Sequence, residues 1–166
     1  MMGPEILGRL VDDHAAALVL YARQWCSAPE DVVQEAFVKL VNQDPAPTTP
    51  LAWLYRVVRN GALIAARKDQ RRRRHEAAVA AQTPGWFVPT EAPGLDGAAA
   101  AAALATLPIE QREVIVARLW GGLSFDQIAE LAGSSSSSVH RWYVAGLASL
   151  RERLHVPCPT KPSTQS

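Results

Sequence analysis

Apolar side chains recur along the chain every three to four positions, which is the spacing of an amphipathic helix. This spacing predicts a first helix over about residues 5–25 and a second helix that ends near Asn42. Ser27 and Glu30 are three residues apart, as in a capping box, so we expect the second helix to begin there. No stretch alternates apolar and polar residues in the way that a half-buried strand does. The pattern therefore predicts an all-α protein.

Proline and glycine mark the breaks between the remaining helices. Three prolines between Asp44 and Pro50 predict a loop, and Pro50 itself suits the first turn of a long third helix that runs to about Ala78, with Thr49 as its cap. Further helices are expected over 95–106, 109–120, 124–132 and 136–154, with Ser124 and Gln127 at capping-box spacing. A short helix, a turn containing Gly133 and a longer helix together resemble a helix-turn-helix.

The distribution of alanine, proline and glycine predicts two domains. Residues 77–106 are rich in these three residue types and separate two helical segments, each of which we expect to bury a small core. The predicted organisation is a first helical domain over 1–78, a flexible linker over 79–94, a second helical domain over 95–156 and a disordered tail over 157–166.

Charge is distributed unevenly between these segments. Residues 1–45 hold three Arg or Lys against seven Asp or Glu, a net charge of −4, whereas residues 51–76 hold eight against two, a net charge of +6. The whole chain carries only +1. Such asymmetry indicates one surface that faces a polyanion.

The third helix concentrates the basic residues on one face. At about 100° per residue, one arc of roughly 80° collects an indole, an amide, a leucine and four guanidinium groups, with an apolar face nearly opposite. These residues are Trp53, Arg56, Asn60, Leu63, Arg67, Arg71 and Arg74. Arginines neutralise phosphates, an indole stacks on an unpaired base and an amide pairs with a base edge, which is the chemistry of partly melted DNA. The alternative is that Trp53 belongs to the core and the arginines form only a solvated face.

The last helix offers a second surface. Its core stripe consists of Val139, Tyr143, Leu147, Leu150 and Leu154. Arg141 lies nearly opposite this stripe, Ser137 and Ser138 lie one turn before it, and His140 and Trp142 flank it. An arginine near the N-terminus of such a helix suits the major groove. A helical hairpin with a solvated arginine is the alternative.

Nothing in the sequence indicates enzymatic chemistry. The four histidines are scattered, and there is neither a metal-ligand spacing, a glycine-rich phosphate loop nor a nucleophile motif, so no catalytic residue, cofactor or metal is expected. Cys26 and Cys158 form no disulfide framework, and no signal peptide or membrane-spanning run is present. These features predict a cytoplasmic protein that does not associate with a membrane.

Four sequence motifs resemble those of extracytoplasmic-function sigma factors. The segments EDVVQEAFVKL at 30–40 and AWLYRVVRN at 52–60 are similar to the second conserved region of that family. The segments LPIEQREVI at 107–115 and GLSFDQIAE at 122–130 are similar to its fourth region. The resemblance covers about 14–76 and 104–154, and it implies a non-enzymatic adaptor between core RNA polymerase and promoter DNA, with an anti-sigma factor as a further candidate partner.

The resemblance also implies roles for particular residues. It places the polymerase-docking surface on the second helix, with Asp31, Gln34, Glu35 and Val38. It places opening and reading of the minus-ten element on the loop 42–50 and on the third helix, with Trp53, Arg56, Asn60, Arg67, Arg71 and Arg74. It places contact with the minus-thirty-five element on the last helix, with Ser137, Ser138, His140 and Arg141.

Two other classes of protein share some of these features. A repressor could use the C-terminal helix-turn-helix while its first domain senses a ligand, but the first domain is itself basic and lacks an obvious pocket pattern. An enzyme with an appended DNA-binding domain, such as a recombinase, would need catalytic motifs that the sequence does not contain. Transcription started by core RNA polymerase in the presence of the chain would distinguish a sigma factor from both.

Overall fold

The computed structural model describes residues 2–76 and 102–155, and within these ranges the regular structure is entirely helical. The N-terminal domain consists of α1 (Pro4–Ala22), α2 (Pro29–Val41) and α3 (Pro50–His75). The C-terminal domain consists of a helical turn over 102–105, followed by α4 (Ile109–Leu119), α5 (Phe125–Ala132) and α6 (Ser136–Leu154). The all-α fold with two helical domains is thus confirmed. The predicted linker, the tail and residues 95–101 of the alanine-rich helix lie outside the described residues.

Proline begins α1, α2 and α3, where its fixed φ suits the first helical turn. The capping box predicted for Ser27 and Glu30 was wrong, because α2 has Ala28 at its N-cap and Pro29 next to it. The Ser27 hydroxyl instead donates a hydrogen bond of 2.7 Å to Oδ2 of Asp69 on α3. Thr49 is the N-cap of α3, but its side chain makes no capping hydrogen bond.

Two helices are shorter than the apolar pattern predicts. The first ends at Ala22 rather than near residue 25, and the chain then turns so that the amide of Trp25 donates to the carbonyl of Ala22. The third ends at His75 rather than Ala78. The pattern extended α1 because Trp25 keeps the apolar period, although it packs on the core from the turn that follows.

In the C-terminal domain, α5 and α6 begin and end at the capping residues that the sequence contains. Ser124 caps α5 in a complete capping box with Gln127, and Gly133 ends α5 in the left-handed conformation at φ 64°. Ser135 caps α6 by accepting a hydrogen bond from the amide of Ser138. The helices α5 and α6 pack on one another and on α4, which gives the predicted helix-turn-helix.

The hydrophobic core crosses from one domain to the other, contrary to the expectation of two separate small cores. One continuous cluster includes Leu18, Tyr21 and Tyr55 from the N-terminal domain together with Val114 and Ile128 from the C-terminal domain. Leu104, Leu107 and Ile115 form a second, smaller cluster within the C-terminal domain. The domains join because α1 packs on α4, and α3 packs on α5.

Candidate nucleic-acid and polymerase interfaces

The outward face of α3 carries a row of basic residues. The side chains in this row are exposed, whereas Leu54, Val58 and Ala62 on the opposite side of α3 are fully buried. The exposed members are Arg56, Asn60, Arg67, Arg71 and Arg74, which we call the basic face. No ion pair joins these arginines to an acidic side chain of residues 2–76 or 102–155. Their charges are therefore available to phosphates.

Trp53 lies at the N-terminal edge of the basic face and is only partly exposed. It packs against the core cluster from outside, and it also lines a surface cavity together with Arg56 and the Pro47–Thr49 segment of the preceding loop. One part of the indole is therefore packed against the core, and another part faces the cavity. Asn60 follows two turns later on the exposed side of the helix.

The outward side of α2 combines acidic and apolar groups. Asp31, Gln34, Glu35 and Val38 are all exposed, as the helical spacing predicted, with 53% of Val38 accessible. Val41 extends the apolar part and is 43% exposed. Glu35 forms an ion pair of 2.7 Å with Lys39 one turn away. Exposed apolar groups beside carboxylates are typical of a surface that docks a protein partner.

The N-terminal turn of α6 presents a small polar surface. Ser137, His140 and Arg141 are exposed, whereas Ser138 is half-buried. Nη2 of Arg141 donates a hydrogen bond of 3.2 Å to Oγ of Ser138, which itself lies 3.0 Å from Oγ of Ser135. The serines thus hold the guanidinium at the start of the helix, where a recognition helix contacts base edges.

Neighbouring groups fix the orientation of the helix-turn-helix. Nη1 of Arg118 donates a hydrogen bond of 2.8 Å to the carbonyl of Leu123, and its guanidinium lies 4.8 Å from the centre of the Phe125 ring. The Phe125 ring in turn meets the His140 ring edge-on at 5.2 Å, and Ser136 donates a hydrogen bond to Asp126. These contacts tie the start of α5 to both α4 and the exposed turn of α6.

A buried carboxylate lies between the two domains. Glu113 on α4 is only 4% exposed, and its Oε1 accepts hydrogen bonds of 2.6 Å from the Tyr21 hydroxyl on α1 and 2.8 Å from Nε of Arg59 on α3. The Arg59 guanidinium also lies 5.6 Å from the centre of the Trp25 ring. We call Tyr21, Arg59 and Glu113 the interdomain triad.

Burial and charge act together on the pKa values of Tyr21 and Arg59. Desolvation raises the pKa of Tyr21 well above its usual value, and the Glu113 carboxylate raises it further. For Arg59, burial alone would lower the pKa, but the hydrogen bond and charge of Glu113 outweigh burial and raise the pKa. Tyr21 is therefore a neutral donor and Arg59 a permanent cation.

Sequence reasoning missed this triad. Its members are separated by 92 and 54 residues along the chain, and helical periodicity carries no information about contacts across that distance. One local signal was present, because Glu113 lies at the boundary between the polar stretch 110–113 and the buried run Val114–Ala117. A carboxylate that is buried beside such a run needs a hydrogen-bond donor or a cation from another element, because burying an unpaired charge is costly.

Two kinds of feature are absent from the described ranges. No helix there is long and apolar enough to cross a membrane. No group of three or more His, Cys, Asp or Glu side chains is placed to hold a metal ion, again among the residues that the structure describes.

Comparison with known families and structures fits this geometry. The family model of Sigma-70 region 2 matches residues 10–72, and that of Sigma-70 region 4 matches residues 98–150. The sigma factor RpoE from Bartonella quintana, solved in complex with the anti-sigma factor NepR, shares 20% identity at a TM-score of 0.72, covering 94% of this chain and 100% of its own. CnrH, solved in complex with the cytosolic domain of CnrY, shares 26% identity at a TM-score of 0.58, covering 94% and 92%. Comparison with curated protein sequences gives no match.

The fold defines a two-domain helical protein with a basic face on α3 and an exposed acidic and apolar side on α2. The chain belongs to the sigma-70 family and is an RNA polymerase sigma factor of the extracytoplasmic-function type. Core RNA polymerase and promoter DNA are accordingly its partners. The match over residues 10–72 favours this class over a repressor, because the first domain is then a polymerase-binding region rather than a ligand sensor.

Proposed function

We propose that the chain directs core RNA polymerase to promoters by dividing the work among three surfaces. The outward side of α2 docks on polymerase, the basic face of α3 with Trp53 opens and reads the minus-ten element, and the N-terminal turn of α6 reads the minus-thirty-five element. The chain acts as a non-enzymatic adaptor in the cytoplasm, and its family supports this role.

The observation that carries the proposal is the combination of groups on α3. Trp53 lines a surface cavity with Arg56, while Asn60, Arg67 and Arg71 continue the same side of the helix with no acidic partner in the described ranges. Arginines hold the phosphates of both strands, the exposed part of the indole stacks where pairing is lost, and the amide hydrogen-bonds to a base edge. All three kinds of group lie along one side of α3.

The outward side of α2 supports the docking role by its composition. Asp31 and Glu35 supply negative charge, and Val38 and Val41 supply exposed apolar area beside it. A DNA-binding role for this side is disfavoured because carboxylates repel phosphates. The surface therefore fits a protein with basic and apolar groups.

For the minus-thirty-five element we assign Arg141 to a base edge, with Ser137 and His140 beside it. Arg141 is exposed and held by Ser138, so it is already oriented at the start of α6. An arginine placed in this way forms two hydrogen bonds with the O6 and N7 atoms of guanine. We also propose that an anti-sigma factor controls the chain, since a similar structure was solved with one.

Reconstituted transcription tests the proposed function. Core RNA polymerase is incubated with genomic DNA fragments with and without the chain, and the 5′ ends of the transcripts are mapped. We expect starts at defined positions that require the chain and share two upstream sequence elements. A repressor would instead bind the fragments without yielding any new starts, and this outcome would reject the proposal.

A further inference from the structure

A cavity of about 390 Å³ lies on the side of α3 that points away from the basic face. Its walls are the turn 23–27 after α1, the C-terminal half of α3, and Ala105 and Arg112 of the C-terminal domain. Asp69 and Arg73 in these walls each stand two positions from Arg71, which is about 200° around the helix. DNA bound along the basic face does not reach this cavity, so the promoter contacts do not account for the groups in it.

The size and walls of the cavity suit a small molecule. Sites for small ligands span about 300–1,000 Å³, and this cavity lies near the lower end of that range. Trp25, Cys26, Ala66 and Ala105 supply apolar area, and a few polar and charged side chains complete the lining. Mostly apolar walls with a small number of polar groups are the usual composition of a ligand site.

The charged groups in the lining favour an anion. Three guanidinium groups and one carboxylate line the cavity, from Arg23, Arg73, Arg112 and Asp69. The carboxylate of Asp69 already accepts a hydrogen bond of 2.7 Å from the Ser27 hydroxyl. Arg73 is exposed and forms no ion pair within residues 2–76 and 102–155. The positive charge of the lining therefore exceeds its negative charge by two.

The other two arginines differ in their surroundings. Arg23 forms an ion pair of 3.1 Å with Glu30, whose side chain is largely exposed. Burial lowers the pKa of Arg112, because its charged form is partly removed from water. A phosphate group in the cavity would offset this cost, since guanidinium groups bind phosphate oxygens through paired, charge-assisted hydrogen bonds.

Gln24 adds a second kind of polar group to the same cavity. It lines the cavity, and both polar atoms of its side-chain amide are buried without a hydrogen-bond partner in the described structure. Buried polar atoms that stay unpaired are unfavourable, so a ligand that presents a donor beside an acceptor would satisfy both. Adenine presents such an edge at N6 and N7, where a glutamine amide forms two hydrogen bonds. Guanine presents two acceptors there, O6 and N7, and satisfies only the amide nitrogen.

We infer that this cavity is a binding site for a small adenine nucleotide, in which the Gln24 amide reads the base and the arginines hold the phosphate. The site is separate from the three surfaces that act in transcription. Binding is a property of the chain alone, and it can be measured without polymerase or promoter DNA. A failed transcription test would reject the proposed function and leave this inference standing.

Two neighbouring arginines provide a matched pair of variants. Arg73 lines the cavity, whereas Arg74 belongs to the basic face about 100° further around α3. Both are exposed, so neither Arg73→Gln nor Arg74→Gln removes a side chain from the core. Arg73→Gln should weaken nucleotide binding about tenfold or more, because a hydrogen bond to a charged group is lost. Arg74→Gln changes the net charge equally and should leave the affinity unchanged.

Isothermal titration calorimetry on the full chain compares AMP, GMP and ribose 5-phosphate, with circular dichroism to check that each variant is folded. We expect AMP to bind at one site, about tenfold or more tightly than GMP, and ribose 5-phosphate to bind more weakly than AMP. Gln24→Leu should bind AMP and GMP alike, because the group that distinguishes the two bases is gone. Ala66→Phe fills the cavity without changing the charge and should abolish binding.

Three results would overturn the inference. The absence of saturable AMP binding at about 1 mM would show that the cavity holds only water. Equal loss of affinity in Arg73→Gln and Arg74→Gln would show that the nucleotide binds through general electrostatic attraction. Equal binding of AMP and GMP by the parent chain, or a preference for AMP that persists in folded Gln24→Leu, would show that the Gln24 amide does not read the base.

Discussion

Neutralising Arg67 and Arg71 should reduce the salt dependence of promoter binding. Both side chains are exposed on the basic face, and neither has an acidic partner among residues 2–76 and 102–155. Their charges are therefore not compensated within the described structure before DNA binds. If each contacts one phosphate, each releases condensed counterions when the complex forms.

The size of the expected change in salt dependence follows from counterion release. Each lost phosphate contact lowers the slope of log K against log salt by about 0.9 on duplex DNA and about 0.7 on single strands. Loss of both contacts lowers it by about 1.8 or 1.4. Between 50 and 200 mM salt, a slope smaller by about 1.8 means that the variant loses roughly 12-fold less affinity than the parent does.

The assay is binding of the polymerase complex to promoter fragments across a series of KCl concentrations. Arg67→Gln with Arg71→Gln should weaken binding to all sequences alike and flatten the slope, whereas Arg67→Lys with Arg71→Lys should keep it. Arg9→Gln is the matched control, because Arg9 is exposed on α1 away from the basic face. An unaltered slope in the double glutamine variant would show that these arginines form only a solvated surface.

Three further predictions concern the other surfaces and the fold. Reversal of Asp31 and Glu35 to lysine should weaken binding to core polymerase while helicity stays intact. The ion pair between Glu35 and Lys39 that is lost contributes only about 0.2–0.5 kcal/mol to helix stability. Unchanged affinity for polymerase would show that α2 is not part of the interface. Arg141→Ala should cost about 1–3 kcal/mol on the preferred site and relax preference at one base pair, whereas an equal loss on every sequence would make it a phosphate contact. Ser124→Ala should lower the free energy of unfolding in urea by about 0.5–2 kcal/mol, and Thr49→Ala by much less, because the Ser124 side chain makes a capping hydrogen bond and the Thr49 side chain does not.

The sequence predicted those parts of the fold that depend on neighbouring residues. The bounds of α5 and α6 follow from Ser124, Gly133 and Ser135, whose side chains or φ angles act within one turn. The same reasoning failed at Ser27, because its hydroxyl bonds to Asp69 at a separation of 42 residues rather than to the start of α2. A capping motif in sequence is a local preference, and a tertiary partner can override it.

The same distinction between local and distant contacts applies to the candidate site. The exposed positions of Asn60 and Arg141 follow from helical geometry alone. The half-buried position of Trp53 does not, because it depends on the loop and the α5 surface that face it. Glu113 and Arg59 could not be paired from sequence, since their contact exists only when the two domains meet.

The claim that α3 opens and reads the minus-ten element is tested by comparing two variants on two templates. Trp53 and Asn60 lie about 20° apart around the helix and about 10 Å apart along it, so the indole can hold the duplex edge while the amide reads an unpaired base. The templates are a fully paired promoter and the same promoter mismatched across the melted segment.

The most direct measurement is the permanganate reactivity of thymines in the minus-ten segment when the polymerase complex is bound. On paired DNA, Trp53→Ala and Asn60→Ala should both reduce reactivity while polymerase binding persists. On mismatched DNA, reactivity with Trp53→Ala should return to the level of the parent chain, because the strands are already open there. Asn60→Ala should still lose the preference for the native base, because the amide reads that base. Loss of polymerase binding and a sharply lower thermal midpoint in Trp53→Ala would show that Trp53 is a core residue and would contradict the account.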